Sequence, residues 1–101
     1  MLITIASRKV ALTRILRTFI RRQLTERLER FTSAIVTANV ELSDRNGRRG
    51  GGDKRCRIHL ALASGGRVVQ DDVRASLRLA ISRAVDRAGN SLQRQLRLVP
   101  A

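Results

Sequence analysis

Ile35-Val36-Thr37-Ala38-Asn39-Val40-Glu41-Leu42 and, after a glycine-rich gap, Arg55-Cys56-Arg57-Ile58-His59-Leu60-Ala61-Leu62 decide the fold. Both stretches alternate, the period-two signature of strands with one buried and one wet face. In the first, Val36, Ala38, Val40 and Leu42 point one way and Thr37, Asn39 and Glu41 the other. In the second, Cys56, Ile58, Leu60 and Leu62 face inward, with Arg55, Arg57 and His59 outward. Half-wet strands of this kind usually lie in antiparallel pairs. Between them Ser43–Lys54 sets Gly47, Gly50, Gly51 and Gly52 among Arg45, Arg48 and Arg49, the composition of a long, mobile hairpin loop.

Upstream, Leu2–Ala6 reads as a short apolar strand, and Thr13 as the N-cap of a helix over Thr13–Phe31. Leu12, Leu16, Phe19, Ile20, Leu24, Leu28 and Phe31 make its apolar stripe, with Arg14, Arg17 and Arg21 on the other side. Downstream, Ser64-Gly65-Gly66 turns into a strand over Arg67–Gln70. Asp71 and Asp72 then stand where the dipole of a last helix, near Val73–Leu98, favours negative charge. Leu77, Ile81, Ala84, Ala88 and Leu92 are its core stripe, Gly89-Asn90 weakens its middle, and Pro100 keeps regular helix from reaching the end.

The predicted order is β-α-β-β-β-α, with a right-handed parallel unit across the first helix. The expected fold is α+β: a two-layer sandwich of a four-stranded mixed sheet with two helices on one face, forming one domain over 1–101. Met1–Thr25 has no acidic residue and would also suit a basic targeting segment; the strand pattern of Leu2, Ile3 and Ile5 favours the folded reading.

The charge is lopsided. Net charge is +13, and all but two of the 21 basic residues are Arg. Arg14, Arg17, Arg21 and Arg22 precede the first helix's first carboxylate, Glu26; the last helix sets Arg74, Arg78, Arg83, Arg87, Arg94 and Arg97 against Asp86 alone. Such self-repulsion would be relieved by a polyanion, and the preference for Arg over Lys suits either phosphate, which guanidinium grips through a bidentate fork, or a GC-rich genome. The chain has no Trp or Tyr, and Phe19 and Phe31 fall on the core stripe, so platforms for stacking single strands are not expected. Recognition of backbone and shape remains, which favours structured RNA over other nucleic acids. The alternatives are a regulatory module that binds protein through the open sheet face and a non-specific nucleic-acid binder.

No catalytic or metal-binding constellation emerges, and no enzyme, cofactor or small-molecule substrate is expected. His59 is the only His and sits on a wet strand face; Cys56 is the only Cys and faces the core. A single Cys allows no internal disulfide, as suits a reducing cytoplasm. Glu26 and Glu29, among Arg27 and Arg30, read as helix-surface ion pairs. Gly50-Gly51-Gly52-Asp53-Lys54 lacks the Gly-Lys-Ser/Thr ending of a phosphate loop. No apolar run approaches the ~20 residues of a membrane span.

Val10-Ala11-Leu12-Thr13-Arg14-Ile15-Leu16-Arg17, Leu28-Glu29-Arg30-Phe31, Val40-Glu41-Leu42-Ser43-Asp44-Arg45-Asn46-Gly47, Asp53-Lys54-Arg55-Cys56, Ala80-Ile81 and Asp86-Arg87 follow one another as in a known family. In these the chain resembles the short ribosome hibernation-promoting factors, the ribosome-associated inhibitors once called sigma-54 modulation proteins. The resemblance implies a fold akin to double-stranded-RNA-binding domains. It also implies docking on rRNA between head and body of the small ribosomal subunit, inhibiting translation in stationary phase or stress in the bacterial cytoplasm. By position, Arg17 and Arg22 on the first helix and Arg83, Arg87 and Arg94 on the second would be its rRNA contacts. Arg14, Arg21, Arg78 and Lys54 complete the expected RNA-binding set. Where the family often has D-L-Y-A-A-I-D, this chain has Ser76-Leu77-Arg78-Leu79-Ala80-Ile81-Ser82, which removes both acids and adds an arginine. Long members pair ribosomes through an appended domain, for which 101 residues leave no room, so pairing by that route is not expected. A monomer without membrane contact is expected.

Overall fold

The alternating stretches pair as antiparallel neighbours in a computed structural model that describes residues 1–44 and 53–97, the last of these by its backbone alone. Strands β2 (Ile35–Asp44) and β3 (Lys54–Leu62) are aligned with Val40 opposite Ile58 and Leu42 opposite Cys56. β1 (Leu2–Arg8) runs parallel to β2, Ile5 opposite Val40, and β4 (Arg67–Arg74) runs antiparallel to β3, Leu60 opposite Val68. The sheet order is β1-β2-β3-β4. Helix α1 (Arg14–Leu28) makes the crossover from β1 to β2, and α2 (Leu77–Arg97) lies against β3 and β4. This is the expected four-stranded mixed sheet with two helices.

Burial drives the layering. Leu16, Ile20, Leu24 and Leu28 of α1, with Ile81, Ala84, Val85, Ala88 and Leu92 of α2, close over Ala38, Val40, Leu42, Cys56, Ile58, Leu60 and Val68. Thr13 caps α1, its hydroxyl accepting from the Leu16 amide at 3.1 Å. The turn after β3 holds Gly65 at φ +96°, a conformation that favours glycine.

Several boundaries differ from expectation. α1 stops at Leu28, and Phe31 lies in a 3-10 turn, Glu29–Ala34. A bulge between Ile35 and Thr37 turns Val36 out to solvent and puts Ile35 in the core instead. Asp71 and Asp72 do not open α2. They extend β4, opposite Arg57 and Cys56, because arginines on three elements hold their carboxylates. Ser76 caps α2 in their place, its Oγ accepting from the Leu79 amide at 3.2 Å. α2 runs through Gly89-Asn90 without interruption. Ser43, Asp44 and Lys54 belong to the strands rather than to the hairpin loop; Asp53 precedes β3, and residues 45–52 of that loop and Pro100 lie outside the described residues.

Candidate nucleic-acid interface

Three contacts, one per helical turn, fix how the arginine-bearing helices sit. The Arg78 guanidinium lies over the Phe19 ring, 4.7 Å from its centroid, Ser82 Oγ donates to Gln23 Oε1 at 3.3 Å, and Arg27 pairs with Asp86. Each joins positions 59 apart, so the helices run parallel and in register. Their N-termini therefore share one end of the layer, where their dipoles add a positive potential. Neither first turn carries an acid. Arg14, Arg17 and Arg78 stand at that same end.

Helical spacing places the rest. Phe19, Gln23 and Arg27 face α2, which leaves Arg14, Arg17 and Arg21 on the far edge of α1 and Arg22 on its outward side. All four are exposed, and none has an ion-pair partner among the described residues. Arg83 on α2 is equally exposed and unpaired among them; Arg94 donates to Ser91 Oγ at 3.2 Å and otherwise faces solvent.

Two residues of the expected RNA-binding set are tied up. Arg87 Nη2 lies 3.3 Å from Asp72 Oδ1, and its Nη1 donates to the Asp71 carbonyl at 3.3 Å. Asp72, with only 4% of its side chain exposed, also accepts from Arg74 Nε at 2.8 Å. Arg87 thus fastens α2 to β4, beside the Gln70–Ser91 hydrogen bond and the Gln95 amide on the Arg67 carbonyl. Lys54 sits 2.6 Å from Asp44 at the end of the β2–β3 pair, opposite Arg74 of β4. Glu26 and Glu29 make no ion pair among the described residues; the acid that neutralises α1 is Asp86, across the helix interface.

The opposite face of the sheet mixes signs. Arg55 holds Asp71 through Nε at 3.1 Å and Nη2 at 2.5 Å, and that hydrogen bond, opposed by slight burial and helped by nearby arginines, keeps the Asp71 carboxyl below the usual range. His59 Nε2 is 3.8 Å from Glu41. Cys56 is buried, and burial together with Asp72 and Asp71 pushes its thiol up to about 12, which suppresses the reactive thiolate. No cluster of metal-ligating residues exists among the described residues, and none of their helices is long and apolar enough to cross a membrane.

Sequence reasoning missed the half-buried setting of Phe19 beneath Arg78, and Ile15, which stands 71% exposed. The signal for the latter was present, since Ile15 is apolar yet falls outside the stripe that buries Leu16 and Ile20.

The family model of Sigma 54 modulation protein / S30EA ribosomal protein matches residues 3–98. The N-terminal domain of Thermus thermophilus Protein Y is 30% identical, with a TM-score of 0.79 over 94% of this chain and 99% of that one. A ribosomal subunit interface protein from Coxiella burnetii, 12% identical, shares the fold with a TM-score of 0.82 over 96% of this chain and 99% of its own. No curated protein matches the chain. With nearly every residue inside the family model and the sheet order, helix placement and Thr13 cap all in place, the chain belongs to the Sigma 54 modulation protein / S30EA ribosomal protein family.

Proposed function

We propose that the protein is a hibernation factor that binds rRNA of the small ribosomal subunit between head and body and holds idle ribosomes inactive in the cytoplasm. The family is ribosome-associated, and no catalytic arrangement accompanies the basic surface among the described residues. One observation carries the reading. Arg14, Arg17, Arg21 and Arg22 stand exposed without ion-pair partners among the described residues, the first two beside helix N-termini that add to their potential. Such a surface is costly in a free domain and fits a folded phosphodiester scaffold. Arg78, Arg83 and Arg94 extend it across α2; Arg87 and Lys54 leave the contact set because carboxylates of the fold already hold them.

Co-sedimentation with isolated small subunits tests this. Neutralising four phosphates gives a salt slope of about −3.6, so a fourfold rise in salt should weaken binding roughly a hundredfold. Translation in a cell-free system should fall over the same protein concentrations that load the subunit. Salt-insensitive association, or loading without inhibition, would reject the proposal.

A further inference from the structure

Ile15, Thr18 and the half-buried Phe19 form a shallow groove on the outward side of α1, rimmed by Arg14 and Arg22 and, from α2, Arg78. An apolar floor inside a ring of guanidinium groups is a specific combination. An apolar protein side chain seated there would leave three charges desolvated without partners. A continuous duplex would set Ile15 against phosphate. A nucleotide whose base has left its stack satisfies both halves, since the base has an apolar face and carries phosphates on either side of it.

Arg78 supplies the platform. Its guanidinium carbon lies over the Phe19 ring, 4.7 Å from the centroid, and the residue is exposed, so the guanidinium keeps a side open to solvent. A base laid there extends a stack of Phe19, guanidinium and base, an arrangement to which guanidinium is suited and ammonium is not. Arg14 and Arg22 lie two turns apart on α1 and bracket the groove, within reach of the phosphates that flank one nucleotide. We propose that this groove receives a single unpaired nucleobase of the RNA bound along the helices, stacked on Arg78 with its edge on Ile15. The proposal rests on the RNA-binding reading above and adds a site to it.

The test uses two RNA stems, one with a single bulged adenosine and one with the same bulge lacking its base. Shape and charge are matched, so the difference reports the base alone. Wild-type protein should bind the adenosine bulge roughly tenfold more tightly, as base stacking of ordinary strength provides. Both affinities should fall with salt in parallel, leaving the ratio unchanged. Arg78→Lys, which keeps the charge and loses the plane, should bring the ratio to one, and the abasic stem measures separately any change in phosphate binding. Ile15→Ser should lower the ratio in the same way. Equal wild-type affinities, or a ratio that survives Arg78→Lys, overturn the nucleobase site and leave the phosphate-binding helices standing. Absence of binding to either stem at low salt overturns the RNA reading and the groove with it.

Discussion

Arg87 Nη2 on α2 approaches Asp72 Oδ1 on β4 to 3.3 Å, and this contact separates the arginines of the last helix into two kinds. Arg83 and Arg94 face solvent on the same flank, whereas Arg87 neutralises a carboxylate that is almost fully buried. A solvated helix face and a structural tie are thus written in the same residue type, four and seven positions apart. Arg87→Ala should destabilise the fold by about 1–2 kcal/mol. An ion pair with a buried carboxylate is lost, yet Arg74 still holds the other oxygen. Urea melts of the two proteins measure this. An unchanged midpoint, with RNA affinity reduced instead, would return Arg87 to the binding surface.

Arg17 and Arg21 have the opposite character. Neither touches a carboxylate among the described residues, so replacing both with Ala should leave the melting temperature within a degree or two, or raise it slightly by relieving repulsion. Affinity for small subunits should drop, and the salt slope should shrink by about 2, one for each phosphate contact removed. Titrations at several salt concentrations give the slope directly.

The division between these two kinds of arginine could not be read from the chain alone. Alternation at Ala38–Leu42 and Cys56–Leu62 forces a one-sided sheet whatever surrounds it, and Thr13 and Gly65 punctuate their elements by local chemistry; these features were legible. Asp71 and Asp72 were not. Aspartate is unfavourable in a strand and favourable at a helix start, so local preference placed them in α2. What keeps them in β4 is Arg55 from the adjacent strand, Arg74 two residues on and Arg87 from the helix above, partners that only the folded chain brings together. Val36 failed similarly, because a bulge shifts the strand period without changing composition. Phe19 read as core and is half covered by Arg78, a contact from 59 positions away.

The Arg55–Asp71 pair gives the protein an acid-sensitive joint between β3 and β4. The Asp71 carboxyl is held below its ordinary 3.8, chiefly by the Arg55 hydrogen bond, so the folded state binds that proton less readily than the unfolded chain does. The resulting stabilisation is complete above the unfolded value and disappears as pH falls through the folded one. Stability should therefore decline as pH drops below about 4, and Asp71→Asn should flatten that part of the profile. Chemical denaturation at closely spaced pH values shows whether the two curves converge at low pH. Parallel curves would mean that Asp71 contributes nothing to the acid limb.

Gly89 offers a change in the stabilising direction. It lies within α2, which remains regular through it, and its backbone does not adopt the left-handed conformation that favours glycine. A methyl group added there would meet the Leu28 Cδ2 of α1 at 3.5 Å, an ordinary packing distance. Glycine inside a helix costs roughly 0.5–1 kcal/mol relative to alanine, largely through the freedom it returns to the unfolded chain. Gly89→Ala should accordingly stabilise the protein by about that amount, raising the melting temperature by several degrees for a domain of this size. The helix-to-helix contacts at Phe19, Gln23 and Arg27 should persist, so RNA affinity should not change. A destabilised Gly89→Ala protein would mean that α1 and α2 approach too closely at Leu28 to admit even one methyl, and that the glycine is required by packing.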